Sequence, residues 1–395
     1  MMRFASAAVS ESDTTTALDR TITAVCDGLG GERADVVFVF FGSAHAPQID
    51  LVRDRLGVAF AGASVIGCSA GGVIGGDREH ESARGFSLAG ARLENATVSP
   101  FHLEAGGLPS PDAGPTVWHD LLSVQASDSP SFVVVADPYS FPTQTLVAGL
   151  DFAYAGAATV GGLASGATGP GDQILLLGDQ VFRSGAVGLA FTGDVELVPA
   201  VAQGCRPIGP VLTVTKCEEN LVRELDGRPA LEVAQRVLGG ASERDRELAR
   251  ASALFLGLET DPFADASEAH WLVRNILGRE PEGGGLYVGE LLRPGRRVRF
   301  HVRDRISSSE DLERTLLEAH DGPGNGCRGA LLFSCLGRGM HLYGVPDHDT
   351  RAFRARFPGA PIAGCFCSGE VGPVGGQTQL HGFTSSFGLF RPRRA

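Results

Sequence analysis

Four times along this chain a run of apolar residues is followed by a helix candidate and then by two glycines five positions apart. The runs begin near Val37, Val133, Leu254 and Leu331, and the glycine pairs are Gly67–Gly72, Gly161–Gly166, Gly284–Gly289 and Gly364–Gly369. A near-continuous run such as Asp35-Val-Val-Phe-Val-Phe-Phe-Gly42 suits a strand covered on both faces, because neither face can then carry polar side chains. Each glycine pair precedes one more strand candidate, near Phe86, Val187, Val298 and Phe383. Glycine is frequent (54 of 395 residues), so the repeated order of elements, and not the pairs alone, argues for an internal repeat. The runs start 96, 121 and 77 residues apart, too unevenly for a stacked solenoid.

The pattern predicts an α/β chain of two related halves. Each half holds two strand–helix–glycine turn–strand units, forming mixed sheets flanked by helices. The expected boundaries are an N-terminal extension at 1–34, a first domain at 35–204 and a second at 205–395, with a break around Gly204–Pro210. The extension carries a helix from Ser12 to Gly28, with Ser12 or Asp13 as N-cap and Leu18, Ile22, Val25 and Leu29 on one face. A second helix is expected from about Gln48 to Phe60. Residues 105–130, rich in Gly, Pro and Ser, read as a loop. The second half opens on Leu225-Asp-Gly-Arg-Pro-Ala-Leu231 and a helix to Leu238, with Pro229 in its first turn and Gly239-Gly240 ending it.

A net charge of −12 and a pI of about 5.3 lack the footprint of a nucleic-acid or anionic-membrane binder. No apolar run reaches the ~20 residues of a membrane helix, and no apolar leader follows Met1, so a cytoplasmic protein is expected. The eight cysteines are scattered, as in a reduced chain with a sufficient core.

Chemistry-bearing side chains concentrate at the C-terminus. Ser334, Cys335 and Arg338 end one strand; Cys365, Cys367, Ser368, Gly369 and Glu370 surround a glycine turn; His381 follows. Polar groups in glycine-rich backbone at strand ends commonly line a pocket. Arg338 offers a planar fork to a ligand carboxylate, and Glu370 could pair with an amine or with Arg338 itself. The corresponding corner of the first half, Cys68, Ser69, Gly71 and Gly72, is the expected facing surface. Cys365-Phe-Cys367 lacks the paired spacing of a closed zinc site, so no metal and no cofactor are expected. Cys365 or Cys68 could serve as a nucleophile with His381 as base, although no catalytic signature surrounds either.

Ala330-Leu-Leu-Phe-Ser-Cys-Leu-Gly-Arg-Gly339, Gly364-Cys-Phe-Cys-Ser-Gly-Glu-Val-Gly-Pro373 and Leu380-His-Gly-Phe-Thr-Ser385 together resemble the C-terminal part of the FIST domain. Leu225-Asp-Gly-Arg-Pro-Ala-Leu231 is similar to the opening of that part. Ile66-Gly-Cys-Ser-Ala-Gly-Gly72 and Gly85-Phe-Ser-Leu88 fit the family's N-terminal part. The resemblance spans roughly residues 35–390. It implies a sensory domain that binds small ligands, amino acids among the suggestions, in intracellular signal transduction. Family members often carry an output module or an F-box. The short ends here leave room for neither, so a separate signalling protein is the expected partner. The expected activity is therefore small-ligand sensing, with no catalytic residues carried over. The alternatives are a cysteine-dependent enzyme and a protein-interaction adaptor.

Overall fold

The computed structural model describes residues 2–251, 253–260 and 270–393. The chain forms two compact units. The first comprises Met1–Ala202, Glu313–Pro373 and Thr378–Ala395; the second comprises Gln203–Leu312 and Val374–Gln377.

The first unit is built from one module used three times. Each module runs edge strand, helix, inner strand, helix, second inner strand, short hairpin, return strand. In the first module the inner strands Val36–Phe41 and Ser64–Ser69 pair in parallel and are joined by the helix Ile49–Ala59. The second module uses Ser131–Ala136, Thr143–Ala153 and Thr159–Leu163, and the third Gly329–Cys335, His348–Arg356 and Ile362–Cys367. The return strands Gly85–Arg92, Ala186–Gly193 and Ser385–Pro392 lie antiparallel between an inner strand and an edge strand. In the third module the edge strand Val195–Ala202 is separated from its helix Arg305–Asp321 by almost the whole of the second unit.

Alternate residues of each inner strand face opposite ways, and both faces are covered. Phe38 and Phe40, Val133 and Val135, and Leu331 and Phe333 meet in one shared core. Val37, Val39 and Phe41 point outward beneath Leu18, Val25 and Leu56 of the helices. Phe132 and Val134 do the same beneath Trp118, Leu146 and Leu150. Two-sided burial is the reason these strands lack polar alternation.

The hairpins are exchanged cyclically. The first module's hairpin (Val73–Gly75 with Arg78–His80) extends the third sheet beside Ile362–Cys367. The second module's (Leu175–Leu177 with Gln180–Phe182) extends the first sheet beside Ser64–Ser69. The third module's strand Glu370–Val374 extends the second sheet beside Thr159–Leu163.

The second unit is an all-antiparallel barrel. Strand Cys205–Glu218 pairs with Arg297–Arg303; the order continues through Leu254–Glu259, Trp271–Arg279, Leu286–Val288 and Leu221–Leu225, which pairs back onto Cys205–Glu218. Closure leaves these strands no free edge. The helices Ala230–Gly239 and Glu243–Arg250 follow the short strand Arg228–Pro229.

The mixed α/β class with helix-flanked sheets is as expected, but the expected fourth repeat unit is not a module. Leu254–Glu259 has antiparallel neighbours on both sides and no parallel partner. Any helix at 261–269 lies outside the described residues, and Trp271–Arg279 is a strand. Gly284 and Gly289 match the glycine spacing by composition alone. The stretch at 105–130 contains a helix, Pro115–Leu122, whose proline sits at the first turn, where a missing N–H costs nothing. Ahead of the expected first helix, observed as Thr14–Gly28 with Asp13 as its cap, lies an edge strand, Arg3–Ser10. Among the described residues, no helix is long and apolar enough to cross a membrane.

Candidate functional site

The three glycine corners of the modules converge within the first unit. Ser165 of the second corner is the knot: its Oγ donates to the Phe366 carbonyl at 2.5 Å and accepts the Gly71 N–H at 2.8 Å. The Ser165 N–H reaches the Ser69 carbonyl, Phe366 N–H the Gly72 carbonyl, and Ser368 N–H the Leu163 carbonyl. Gly72 thus meets the third corner at Phe366, while Ser368 and Gly369 lie against Leu163 of the second corner, which the sequence reading had not placed there. The contact is closed, and its donors and acceptors serve one another. Ser69 is likewise taken up: its Oγ donates to Gln173 and accepts the Ile174 N–H.

Arg338 lies in the third module with no solvent exposure. Its Nε donates to Asp349 Oδ2 at 3.0 Å, Nη2 to Tyr343 Oη at 2.5 Å and to Asp349 Oδ1, and Nη1 to the Phe383 carbonyl. Asp349 also accepts from Ser385 Oγ at 2.5 Å, Ser334 Oγ at 3.2 Å and His348 Nδ1 at 3.1 Å. Burial pushes the Asp349 carboxyl up, but the Arg338 charge, with the His348 and Ser385 bonds, more than reverses this and holds it low. Burial likewise works against the charged guanidinium, and Asp349 restores it. Arg338 thus anchors its own module instead of presenting its fork to a pocket.

A second buried acid joins this cluster from the exchanged hairpin. Glu79 Oε1 accepts the Thr350 N–H at 2.8 Å and Thr350 Oγ1 at 3.0 Å, in the first turn of the helix His348–Arg356. Its other oxygen is buried without a hydrogen-bond partner among the described residues. Burial, then the neighbouring Asp349 charge, raises the Glu79 carboxyl to about 8, so it stays protonated at neutral pH. Asp349 and Glu79 were missed in the sequence: Glu79 sits in a polar hairpin and meets a partner 271 positions away.

The remaining expected residues are dispersed. Glu370 is buried, with Oε2 accepting the Thr384 N–H. His381 is buried and its Nε2 bonds the Gly372 carbonyl at 2.9 Å. Ser368 is exposed, and Cys335 is half-buried, its sulfur facing the Gly337 N–H. Cys68, Cys365 and Cys367 are buried in the shared apolar core, with Cys365 and Cys367 sulfurs 3.5 Å apart. Burial raises both the Cys365 and Cys367 thiols, against the lowered pKa an attacking thiolate needs. Among the described residues, no cluster of His, Cys, Asp and Glu is arranged to hold a metal ion.

An open cavity of about 750 Å³ lies in the second unit. It forms where strand Cys205–Glu218 bulges: the pairing with Arg297–Arg303 breaks between Ile208 and Leu212. Gly209 takes a positive φ of 65°, and Pro210 has no N–H for a ladder. The turn Asp226-Gly227, with both residues at positive φ, sends the chain into the helix Ala230–Gly239 over the bulge. Ile208, Leu212, Leu225, Val233 and Val237 supply apolar lining; Arg206, Arg228, Arg236, Asp226 and Asp245 supply charge. The motif Leu225-Asp-Gly-Arg228, read earlier only as the opening of a half, thus contributes three lining residues. Nothing in its spacing announced a cavity, which needs both the bulge between Ile208 and Leu212, more than ten residues earlier, and the helix Ala230–Gly239 that follows directly.

Residues 35–228 match the FIST N domain and residues 230–373 the FIST C domain. An uncharacterised protein of Mycobacterium tuberculosis (strain ATCC 25618 / H37Rv) is 34% identical over 364 residues, covering 89% of this chain and 90% of its own. Another, from Mycobacterium bovis, is 31% identical over 368 residues, covering 92% of each. A solved cyanuric acid hydrolase from A. caulinodans is similar over the whole of both chains at 9% identity and a TM-score of 0.34, too loose a likeness to bear on fold or chemistry.

Proposed function

Because the chain belongs to the FIST family, whose domains are associated with sensing in signal transduction, we propose that it is a small-molecule sensor whose ligand enters the cavity of the second unit. The observation carrying this reading is the cavity itself. Its size, about 750 Å³, falls within the roughly 300–1,000 Å³ range of metabolite pockets, and it combines an apolar floor with a few charged groups. The cluster around Arg338, by contrast, has its donors spent on its own chain. The bound state is read by a separate signalling protein.

The test is a thermal-shift screen of the full chain against amino acids and related metabolites, with Val237→Trp alongside. Val237 is half-buried on the helix face lining the cavity, so an indole there fills the space with little disturbance to the barrel core. A hit that stabilises the native chain and not Val237→Trp supports the reading. Hits unaffected by the substitution place binding elsewhere and contradict it.

A further inference from the structure

The charged groups around the cavity are unevenly matched. Asp245 is held by the Arg206 guanidinium, whose hydrogen bond keeps its carboxyl low, and Ser242 Oγ accepts the Asp245 N–H. Asp226 accepts the Thr213 N–H at 2.8 Å. Both lining carboxylates therefore already have donors. Arg228 and Arg236 have a different situation. Both reach the same oxygen of one carboxylate, Glu232, at 3.9 and 2.6 Å. Glu232 is exposed and does not line the cavity. Three arginines against two aspartates leave the lining with a net charge of +1, carried by two guanidiniums that share a single surface partner.

Below that rim the floor is apolar, formed by Ile208, Leu212, Leu225 and Val233. We infer that the ligand is an organic monoanion: an apolar, ring-sized body seated on this floor, with a carboxylate or equivalent oxyanion against Arg228 and Arg236. A guanidinium fork matches a carboxylate in geometry as well as charge. A free ammonium on the same molecule would face a lining whose net charge is already positive and whose Asp245 is paired with Arg206. The inference rests on the cavity being the sensory site, and narrows the expected metabolites to acids without a free amine.

Four compounds sharing one body test it: indole-3-acetate, tryptophol, tryptamine and tryptophan, titrated calorimetrically into the full-length native chain and into Arg228→Gln/Arg236→Gln. Both substitutions fall on half-exposed side chains, so folding is expected to survive. The expected result is indole-3-acetate binding at least about tenfold more tightly than the other three, a gap of about 1.4 kcal/mol. In the double variant the advantage over tryptophol falls to within about twofold, while tryptophol binding itself persists. Equal binding of acid and alcohol, or an advantage that survives the double substitution, overturns the anion assignment and leaves the cavity reading intact. Binding of none of the four overturns the assignment of a ring-sized apolar body; if the metabolite screen is also silent, the cavity reading falls with it.

Discussion

Asp349 carries a charge that no solvent reaches, and its stability depends on Arg338 beside it. Removing one member of such a pair strands the other, at a typical cost of about 3–5 kcal/mol. Arg338→Ala therefore reports on folding, and the expected role of Arg338 as a fork for a ligand carboxylate does not suit this geometry. Glu79 makes the opposite contribution. Its folded carboxyl sits near 8 against an ordinary 4.5, so the folded state binds its proton more tightly. That contribution is complete below about 4.5 and is lost as pH rises through about 8. Asp349, held low, contributes above the ordinary carboxylate range and loses its contribution on strong acidification. The charged neighbours acting on Glu79 are Asp349 and Glu81. The His301, His45 and His80 imidazoles are all lowered by burial and pull stability the other way below about pH 6.5. The test is therefore a comparison: in urea unfolding the pH slope of the native chain should be more negative than that of Glu79→Gln between about pH 5 and pH 8. A slope unchanged in the variant would show that Glu79 is not the group responsible.

At the scale of elements, one glycine in each module explains why the repeat is legible. Gly67, Gly161 and Gly364 sit opposite Val39, Val134 and Leu332 on the parallel inner strands. A Cβ at any of them would lie 1.8 or 1.9 Å from that partner's carbonyl oxygen. No side chain fits there, so the position is glycine three times. Gly284, the fourth candidate, would meet only Pro229 and Leu231 side chains at 3.3 Å or more, which is why its match was an accident of composition. Gly161→Ala is expected to destabilise the chain by about 3 kcal/mol or more. Gly106→Ala, where a Cβ meets nothing within 4 Å, should be near neutral. Similar unfolding midpoints for the two would refute the steric account. The inner strands and their helices were readable because each is a local pattern of apolar runs and caps. The cyclic exchange of hairpins was not: Val73–Gly75 and Arg78–His80 are three residues each, and their partners lie in another module. The hairpin is clamped there by Thr350 N–H on Glu79, Met340 N–H on Glu81 and Arg78 on Asp347, all long-range bonds that periodicity cannot encode.

At the scale of the molecule, the same tension separates family from site. The motifs around Arg338, Gly364 and His381 identified the FIST family correctly because they build the converging corners and the buried ionic cluster on which the first unit depends. Dense polarity in glycine-rich backbone there marks architecture. The cavity instead combines a bulge at Gly209–Pro210, an Asp226-Gly227 turn and the face of the helix Ala230–Gly239, each unremarkable alone. Amide hydrogen exchange of the full chain with and without indole-3-acetate distinguishes these two locations most directly, because protection maps to backbone segments. The account predicts slowed exchange at residues 206–212 and 225–245, with 334–349 and 364–370 unchanged. Protection concentrated at 334–349 and 364–370, or absent from 206–245, would contradict it.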